Sequence, residues 1–311
     1  MSSLISTIIG VFGYIFLGFL LKKIDIIPEK IFKYYNSISF NFLLPIALLT
    51  NFWSITFPKL IVYELFIVFF SSGIIIFILG FFISKKFFNF KIDDSALFGL
   101  GSCFGNSVAF GIPLMYSILG PINVMPYMIL VLFHGLIHFT YTTLIIEGYR
   151  NRSHSLFKMS IKTICSLLKN IVLFGMFLGL FLNKSQISMP YTLEIFLKPI
   201  SAIALPSILI SLGNTLGGFK IIHELKHSLV LTGLKNFLHP VIAFIIAKYI
   251  FSMSPLLVVI TTMAAALPSG SQTYYFSYRY NSLQKTITSN IVLSTFISFF
   301  TLSFLIVIFG Y

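Results

Sequence analysis

Long apolar runs separated by short polar stretches set the pattern of this chain. The runs predict helices over about 3–21, 31–53, 60–83, 95–119 and 122–147, then 166–183, 190–213, 226–252, 255–278 and 286–310. A helix crossing a hydrocarbon core of about 30 Å at about 1.5 Å per residue needs about 20 apolar residues. The pattern therefore predicts an all-α integral membrane protein with ten transmembrane helices. The longest polar stretch, Tyr149 to Lys162, divides the chain into a five-helix repeat at 1–148, a short cytoplasmic loop at 149–165 and a second five-helix repeat at 166–311. Two halves of five helices run in opposite senses, so the repeat is an inverted one.

Composition agrees with the pattern. Hydrophobic residues make up 57% and charged residues 9% of the chain, against about 45–50% and about 25% in soluble domains. A net charge of +13 would suggest nucleic acid in a soluble protein. Here the basic residues lie in short loops, so they report topology and no nucleic-acid partner is expected. Loops 1–2, 3–4, 5–6, 7–8 and 9–10 carry most of the lysines and arginines, whereas the opposite side, both termini included, offers Lys59, Lys184 and Lys248. By the positive-inside rule both termini face outward, in a multi-pass protein of the cell membrane. Lys198 and Lys235 fall inside helices seven and eight. Met1 to Leu21 lacks a basic n-region and a small-residue cleavage pattern, with Lys22 and Lys23 following the apolar run, so it is expected to be the first spanning helix. Cys103 and Cys165 are too few for a disulfide framework or a zinc site.

Two interior runs stand out chemically. Helix four carries Gly101-Ser102-Cys103-Phe104-Gly105-Asn106-Ser107, then Gly111 and Pro113, and helix nine carries Pro268-Ser269-Gly270-Ser271-Gln272-Thr273. Both are runs of small, polar, helix-breaking residues at about mid-depth, in corresponding places of the two halves. A break in a membrane helix survives only where protein buries it or water reaches it, and paired breaks point to a transporter's binding site. Half-helix N-termini favour an anion there. Traces of duplication support the pairing. Leu44-Pro45-Ile46 and Leu205-Pro206-Ser207 lie 161 residues apart, and Gly105-Asn106-Ser107 and Pro268-Ser269-Gly270 lie 163 apart.

These residues carry a family resemblance. Gly105-Asn106-Ser107-Val108-Ala109-Phe110-Gly111-Ile112-Pro113-Leu114, closed by Leu119-Gly120, resembles the fourth-helix signature of the auxin efflux carrier family. Ala266-Leu267-Pro268-Ser269-Gly270, with Phe276 and Tyr280-Asn281, is similar to its ninth-helix signature, and Pro45 of helix two also fits. The resemblance implies a scaffold domain and a mobile transport domain, with helices four and nine broken and crossing near the middle. It assigns Asn106 to the crossing, where it binds a substrate carboxylate, and Glu64 of helix three to support of that site. The chain departs from the plant carriers in having glycine at 105 in place of proline and a short central loop. Substrate identity and control by phosphorylation therefore do not carry over.

Glu64 is also a candidate by itself, since an ionisable group in a spanning segment is costly. Glu194 and Lys198, four apart on helix seven, are placed to form a structural ion pair. His223-Glu224-Leu225-Lys226-His227 matches the H-E-x-x-H zinc pattern. It begins helix eight amid basic residues, and no third ligand follows at a recognisable spacing, so neither a metal nor another cofactor is expected. His134 and His138 share the i, i+4 spacing and are expected to bond neighbouring helices or line the cavity. No Walker-type glycine loop and no nucleophile elbow is present in the sequence.

The sequence thus predicts a secondary transporter, not an enzyme, that moves a small organic anion by alternating access. Gly105, Asn106, Ser107, Pro268, Ser269, Ser271 and Gln272 form the expected site, with Glu64 in support and Pro45, Gly111, Pro113 and Pro206 as structural helix breaks. The expected partners are the substrate anion, the bilayer, H+ or Na+ as coupling ion, and a second copy of the chain in a homodimer. An intramembrane zinc protease using His223 and His227, and a non-transporting sensor of the same fold, are the competing readings.

Overall fold

The computed structural model describes residues 2–54, 63–150, 171–218 and 224–311. Each of the ten apolar stretches contains described helix, interrupted at 104–106 in the fourth and at 267–271 in the ninth. In chain order the helices are α1 (Ser2–Ile24), α2 (Glu29–Ile38), α3 (Leu44–Ser54), α4 (Tyr63–Phe87), α5 (Ile92–Cys103), α6 (Ile112–Asn123) and α7 (Met125–Tyr149). The chain continues with α8 (Ile171–Lys184), α9 (Tyr191–Gly218), α10 (Leu225–Gly233), α11 (His239–Ile245), α12 (Pro255–Ala266), α13 (Gln272–Tyr280) and α14 (Gln284–Phe309). Among the described residues six helical rods are long and apolar enough to cross a membrane: Glu29–Ser54, Tyr63–Phe87, Met125–Tyr149, Tyr191–Gly218, Leu225–Ile250 and Gln284–Phe309. Ser107–Gly120, Phe174–Lys184 and Pro255–Ala266 are shorter apolar helices. The 149–165 loop is described only at Tyr149 and Arg150. His223 and Cys165 lie outside the described residues.

Three prolines inside these helices share one arrangement. A proline lacks the N–H of an i→i−4 bond, and its ring crowds the carbonyl four residues back. Wide π turns at Ser39–Leu43, Ser107–Gly111 and Leu234–Leu238 each end two residues before a proline, namely Pro45, Pro113 and Pro240. The wider turn displaces the carbonyl that the ring would strike and takes up the lost bond. The backbone therefore stays helical through Pro45, Gly111 and Pro113, which widen their helices without breaking them. Pro206 lies inside the uninterrupted α9. α6 instead kinks at Gly120, whose φ of 72° is open to glycine.

The chain forms two compact units, each drawing on both halves of the sequence. The first comprises Met1–Lys59, Tyr116–Met125 and Ile164–Gly218; the second comprises Leu60–Met115, Pro126–Thr163 and Phe219–Tyr311. In the first unit α1 lies along α9 at glycine contacts. A methyl group on Gly18 would strike the Ile210 carbonyl oxygen, and one on Gly213 the Ile15 carbonyl oxygen. α3 and α8 approach in the same way, with a methyl on Gly175 placed 2.5 Å from the Pro45 oxygen. Lipid is as apolar as leucine, so this association depends on close packing more than on burial. Trp53 Nε1 donates to the Ile187 carbonyl at 2.6 Å, and Asn183 Nδ2 donates to the Trp53 carbonyl at 2.8 Å. The Glu194–Lys198 ion pair forms as the spacing predicts.

The second unit packs α4 against α5 and sets α10, α12, α13 and α14 around them. Ile76, Phe77, Leu97, Leu100, Phe104, Ile146 and Phe276 belong to its core. One polar end is held by Arg150, which donates to Asp93 Oδ2 at 2.6 Å and to the Tyr280 carbonyl at 3.0 Å. Asp93 and Asp94 occupy the first turn of α5, where the helix dipole favours negative charge, and Ser282 donates to Asp94.

Candidate binding site at the crossing of two broken helices

α5 ends at Cys103 because Phe104 turns to extended backbone, with φ −76° and ψ 115°. α12 ends at Ala266 because Leu267 does the same, with φ −56° and ψ 145°. The two extended segments lie antiparallel and pair at Gly105 and Ser269. Asn106 N donates to the Pro268 oxygen at 2.7 Å, and Gly270 N donates to the Phe104 oxygen at 3.0 Å. Each break thus satisfies the other's peptide groups, which a low-dielectric interior requires. Gly270 must be glycine-sized here, because a methyl on it would lie 2.6 Å from the Phe104 ring.

Side chains satisfy the remaining peptide groups. Ser269 N donates to Ser294 Oγ at 3.0 Å, and Ser269 Oγ donates to the Gly101 carbonyl at 3.0 Å. Asn290 Nδ2 donates to Ser269 Oγ at 2.7 Å, while Asn290 Oδ1 accepts from Thr232 Oγ1 at 3.0 Å. Ser107 N donates to the Gly105 oxygen at 2.9 Å. The amides of Asn106, Ser107, Ser269 and Gly270 are therefore occupied within the protein. The crossing peptides form a frame, with none of these four amides left free, and polar side chains surround it.

Those side chains are placed closely. Asn106 is almost wholly buried, and its Oδ1 has no partner among the described residues. Ser107 Oγ lies 2.5 Å from His134 Nδ1, and the Ser107 carbonyl accepts from Tyr127 Oη at 2.7 Å. A methyl on Gly111 would collide with that tyrosine hydroxyl. His134 stacks on Phe104 with ring centres 4.3 Å apart. Ser271 stands at the N-cap position of α13 with no side-chain capping bond, and the neighbouring Gln272 Oε1 is buried without a partner among the described residues.

The group that the break motifs do not reveal is Lys235. It lies in the π turn of the Leu225–Ile250 rod and is fully buried. Its ammonium donates to the Ala265 carbonyl in the last turn of α12, where a helix C-terminus favours a cation. His239 Nδ1 lies 3.4 Å from the same nitrogen. A methyl on Gly105 would lie 3.5 Å from it, so the charge reaches the crossing itself. Among the described residues no carboxylate pairs with Lys235. The sequence signal was a lysine inside an apolar run, the same signal that singles out Glu64. Glu64 is half-buried in the first turn of α4. It lies eight residues, or about 12 Å of helix rise, from Ser72, which packs beside His239.

The zinc-like pentad takes a different form. Glu224 Oε2 accepts from Thr286, and His227 Nδ1 lies 3.4 Å from the same oxygen. Hydrogen bonding from Thr286 first, then His227, holds the Glu224 carboxyl below the usual carboxylate range. The His227 ring sits against Phe88, with centres 4.3 Å apart. Among the described residues no cluster of three metal-ligating side chains occurs.

A helical membrane protein whose paired breaks frame a buried polar site has the architecture of a carrier. The chain belongs to the membrane transport protein family, whose profile matches residues 3–306. This is the auxin efflux carrier group that the helix-four and helix-nine motifs resemble. A search of curated proteins finds no match. The chain is accordingly a multi-pass membrane transporter.

Proposed function

We propose that the chain is a secondary carrier of a small organic anion, a carboxylate, with its site at the crossing. The observation that carries this reading is the Lys235 ammonium beside Gly105, buried and without a carboxylate partner among the described residues. An isolated buried charge is costly, and an anionic substrate would offset that cost. An ammonium has three donors. Ala265 and His239 engage two of them, which leaves one for a ligand oxygen. Asn106, Ser107 and Gln272 add neutral hydrogen-bonding groups, and Ser269 and Pro268 hold the frame.

Alternating access is the transport mode of this reading. The two compact units, each built from both halves, support a scaffold and a moving transport domain. The offsets of 161 and 163 residues support two inverted repeats, and the bias of lysines and arginines to alternate loops supports ten spans with both termini outside. The zinc-protease reading gains no support, since Glu224 is held by Thr286 and His227. The direct test is binding and flux of lactate, succinate and citrate by purified protein in proteoliposomes. Saturable flux that competes among these anions is the expected result; no binding or flux of any of them would end the carboxylate reading.

A further inference from the structure

We infer that the cluster of His138, His239, His134 and Lys235 behind the crossing binds a transported proton, with His138 Nε2 as its acceptor, so that the anion moves together with H+. The inference rests on the anion-carrier reading above.

Three imidazoles from two helices converge on one phenyl ring. The Phe69 ring centre lies 5.5 Å from that of His134, 6.3 Å from that of His138 and 6.1 Å from that of His239. His134 and His138 themselves are 4.6 Å apart, centre to centre. Gly73 makes the approach feasible, because a methyl on it would lie 3.0 Å from His138 Nε2 and 4.0 Å from His239 Nε2. All three histidines are buried.

Hydrogen-bond partners fix which nitrogens hold lone pairs. His138 Nδ1 faces the His134 carbonyl oxygen at 2.9 Å. A carbonyl only accepts, so this nitrogen carries the hydrogen and Nε2 carries the lone pair. His138 Nε2 has no partner among the described residues. His239 is turned the other way. Its Nδ1 accepts from the Lys235 ammonium, which leaves Nε2–H toward Ser72 Oγ at 3.5 Å. His138 Nε2 is therefore an open base of fixed tautomer. His134 Nε2 also has no partner among the described residues, but the Ser107 hydroxyl against its Nδ1 can donate or accept, so only at His138 does a carbonyl hold the lone pair on Nε2. Protonation forms one N–H bond with a proton drawn from water on one side of the membrane, and the same proton returns to water on the other side.

The surroundings select H+ over Na+. Nitrogen bases and an ammonium line the cluster, with Ser72 from α4, whereas a hard cation needs several oxygen ligands. Among the described residues the other titratable groups facing it are Cys103 from α5 and Tyr141 from α7, the Tyr141 ring lying 5.6 Å from His138. α12 contributes the Ala265 carbonyl, and α14 contributes the neutral Asn290 and Ser294 through the frame. A second positive charge beside Lys235 is repelled unless an anion sits at the crossing. Proton and anion then favour each other's binding by the same factor.

The test needs no variant at first. Calorimetric titration of wild-type protein with lactate, succinate and citrate, in two buffers of different ionisation enthalpy, reads proton uptake directly. About one proton taken up per bound anion is expected, with affinity weakening about tenfold per pH unit above the transition, the slope of one linked proton. His138→Gln should then bind with the wild-type affinity of alkaline pH and lose the rise on acidification. In proteoliposomes an imposed pH gradient should drive wild-type uptake, and a Na+ gradient should not. Anion binding without proton uptake would overturn the coupling while leaving the carrier intact. Full proton uptake in a folded His138→Gln protein would overturn the site. If none of the three anions binds at any pH, the carrier reading fails and the coupling falls with it.

Discussion

Asn106 and Pro268 join the two broken helices by one short bond, from the Asn106 amide to the Pro268 carbonyl oxygen at 2.7 Å. That bond and its counterpart between Gly270 and Phe104 leave the Asn106 side chain, with its unpartnered oxygen, as the polar group that the frame presents. The backbone of residue 106 and its side chain thus have separate duties. Removing the side chain should spare the frame.

Asn106→Ala removes the Nδ2 amide, the side-chain group able to donate to a carboxylate, and is expected to weaken carboxylate binding about 10- to 150-fold, equivalent to the roughly 1.5–3 kcal/mol of a hydrogen bond to a charged group. Folding should persist, because the crossing bonds use main-chain atoms. Equilibrium binding and thermal unfolding of the same preparation check both halves of the statement. Wild-type affinity in a well-folded variant would remove Asn106 from the site.

Glu64→Gln should act on another quantity. Glu64 lies far along α4 from Ser72, so equilibrium anion binding should stay within about twofold of wild type, a change of about 0.4 kcal/mol at 1.4 kcal/mol per decade. Turnover or its pH dependence should fall if Glu64 supports the moving unit. Flux over a pH series, set against binding at each pH, separates these effects.

The first unit offers a stability test. Gly213→Ala places a methyl against the Ile15 carbonyl oxygen, and overpacking of this kind costs about 1–3 kcal/mol. Gly13→Ala meets nothing within 4 Å, and the alanine should gain up to about 1 kcal/mol in helix propensity. Thermal unfolding in one detergent should therefore move down for the first variant and stay level or rise for the second.

Much of this was legible in the sequence. The apolar runs locate the helices, since a bilayer demands long apolar stretches with internal hydrogen bonding. The paired runs at Gly105-Asn106 and Pro268-Ser269 locate the extended backbone, because glycine, proline and short polar residues tolerate it. The fates of individual amides were not legible. The half-helix N-termini suggested free donors, yet the amides of Asn106, Ser107, Ser269 and Gly270 are spent on Pro268, Gly105, Ser294 and Phe104. Lys235 was visible as a lysine within an apolar run, but its reach to Ala265 depends on the π turn at Leu234–Leu238. Pro45, Gly111, Pro113 and Pro206 suggest breaks, because proline costs a helix a bond. The π turns that absorb the loss at Pro45 and Pro113 leave no local signature in residue type.

Glu224→Gln should leave transport within a few-fold of wild type, because Glu224 is engaged by Thr286 and His227 at the start of the Leu225–Ile250 rod. Its depressed carboxyl makes any stabilising contribution a property of neutral pH, lost as pH falls through the folded value. Stoichiometric zinc in purified protein, with activity lost in this variant, would revive the protease reading.

Orientation is open to chemical labelling. Cysteines at Ser3 and Ser153, in a background lacking Cys103 and Cys165, should react with an impermeant thiol reagent on intact cells at position 3 only. Labelling at 153 with protection at 3 would invert the topology.

Lys235→Met tests most directly the proposal that Lys235 supplies the charge that receives the anion. Methionine keeps the length and apolar body of the side chain, and replacing a buried charge by an apolar residue is often neutral for stability. Equilibrium binding of lactate, succinate and citrate to the folded variant should weaken at least about 10-fold, the lower bound for a charge-assisted hydrogen bond. Wild-type affinity for these anions in a folded Lys235→Met protein would contradict the account.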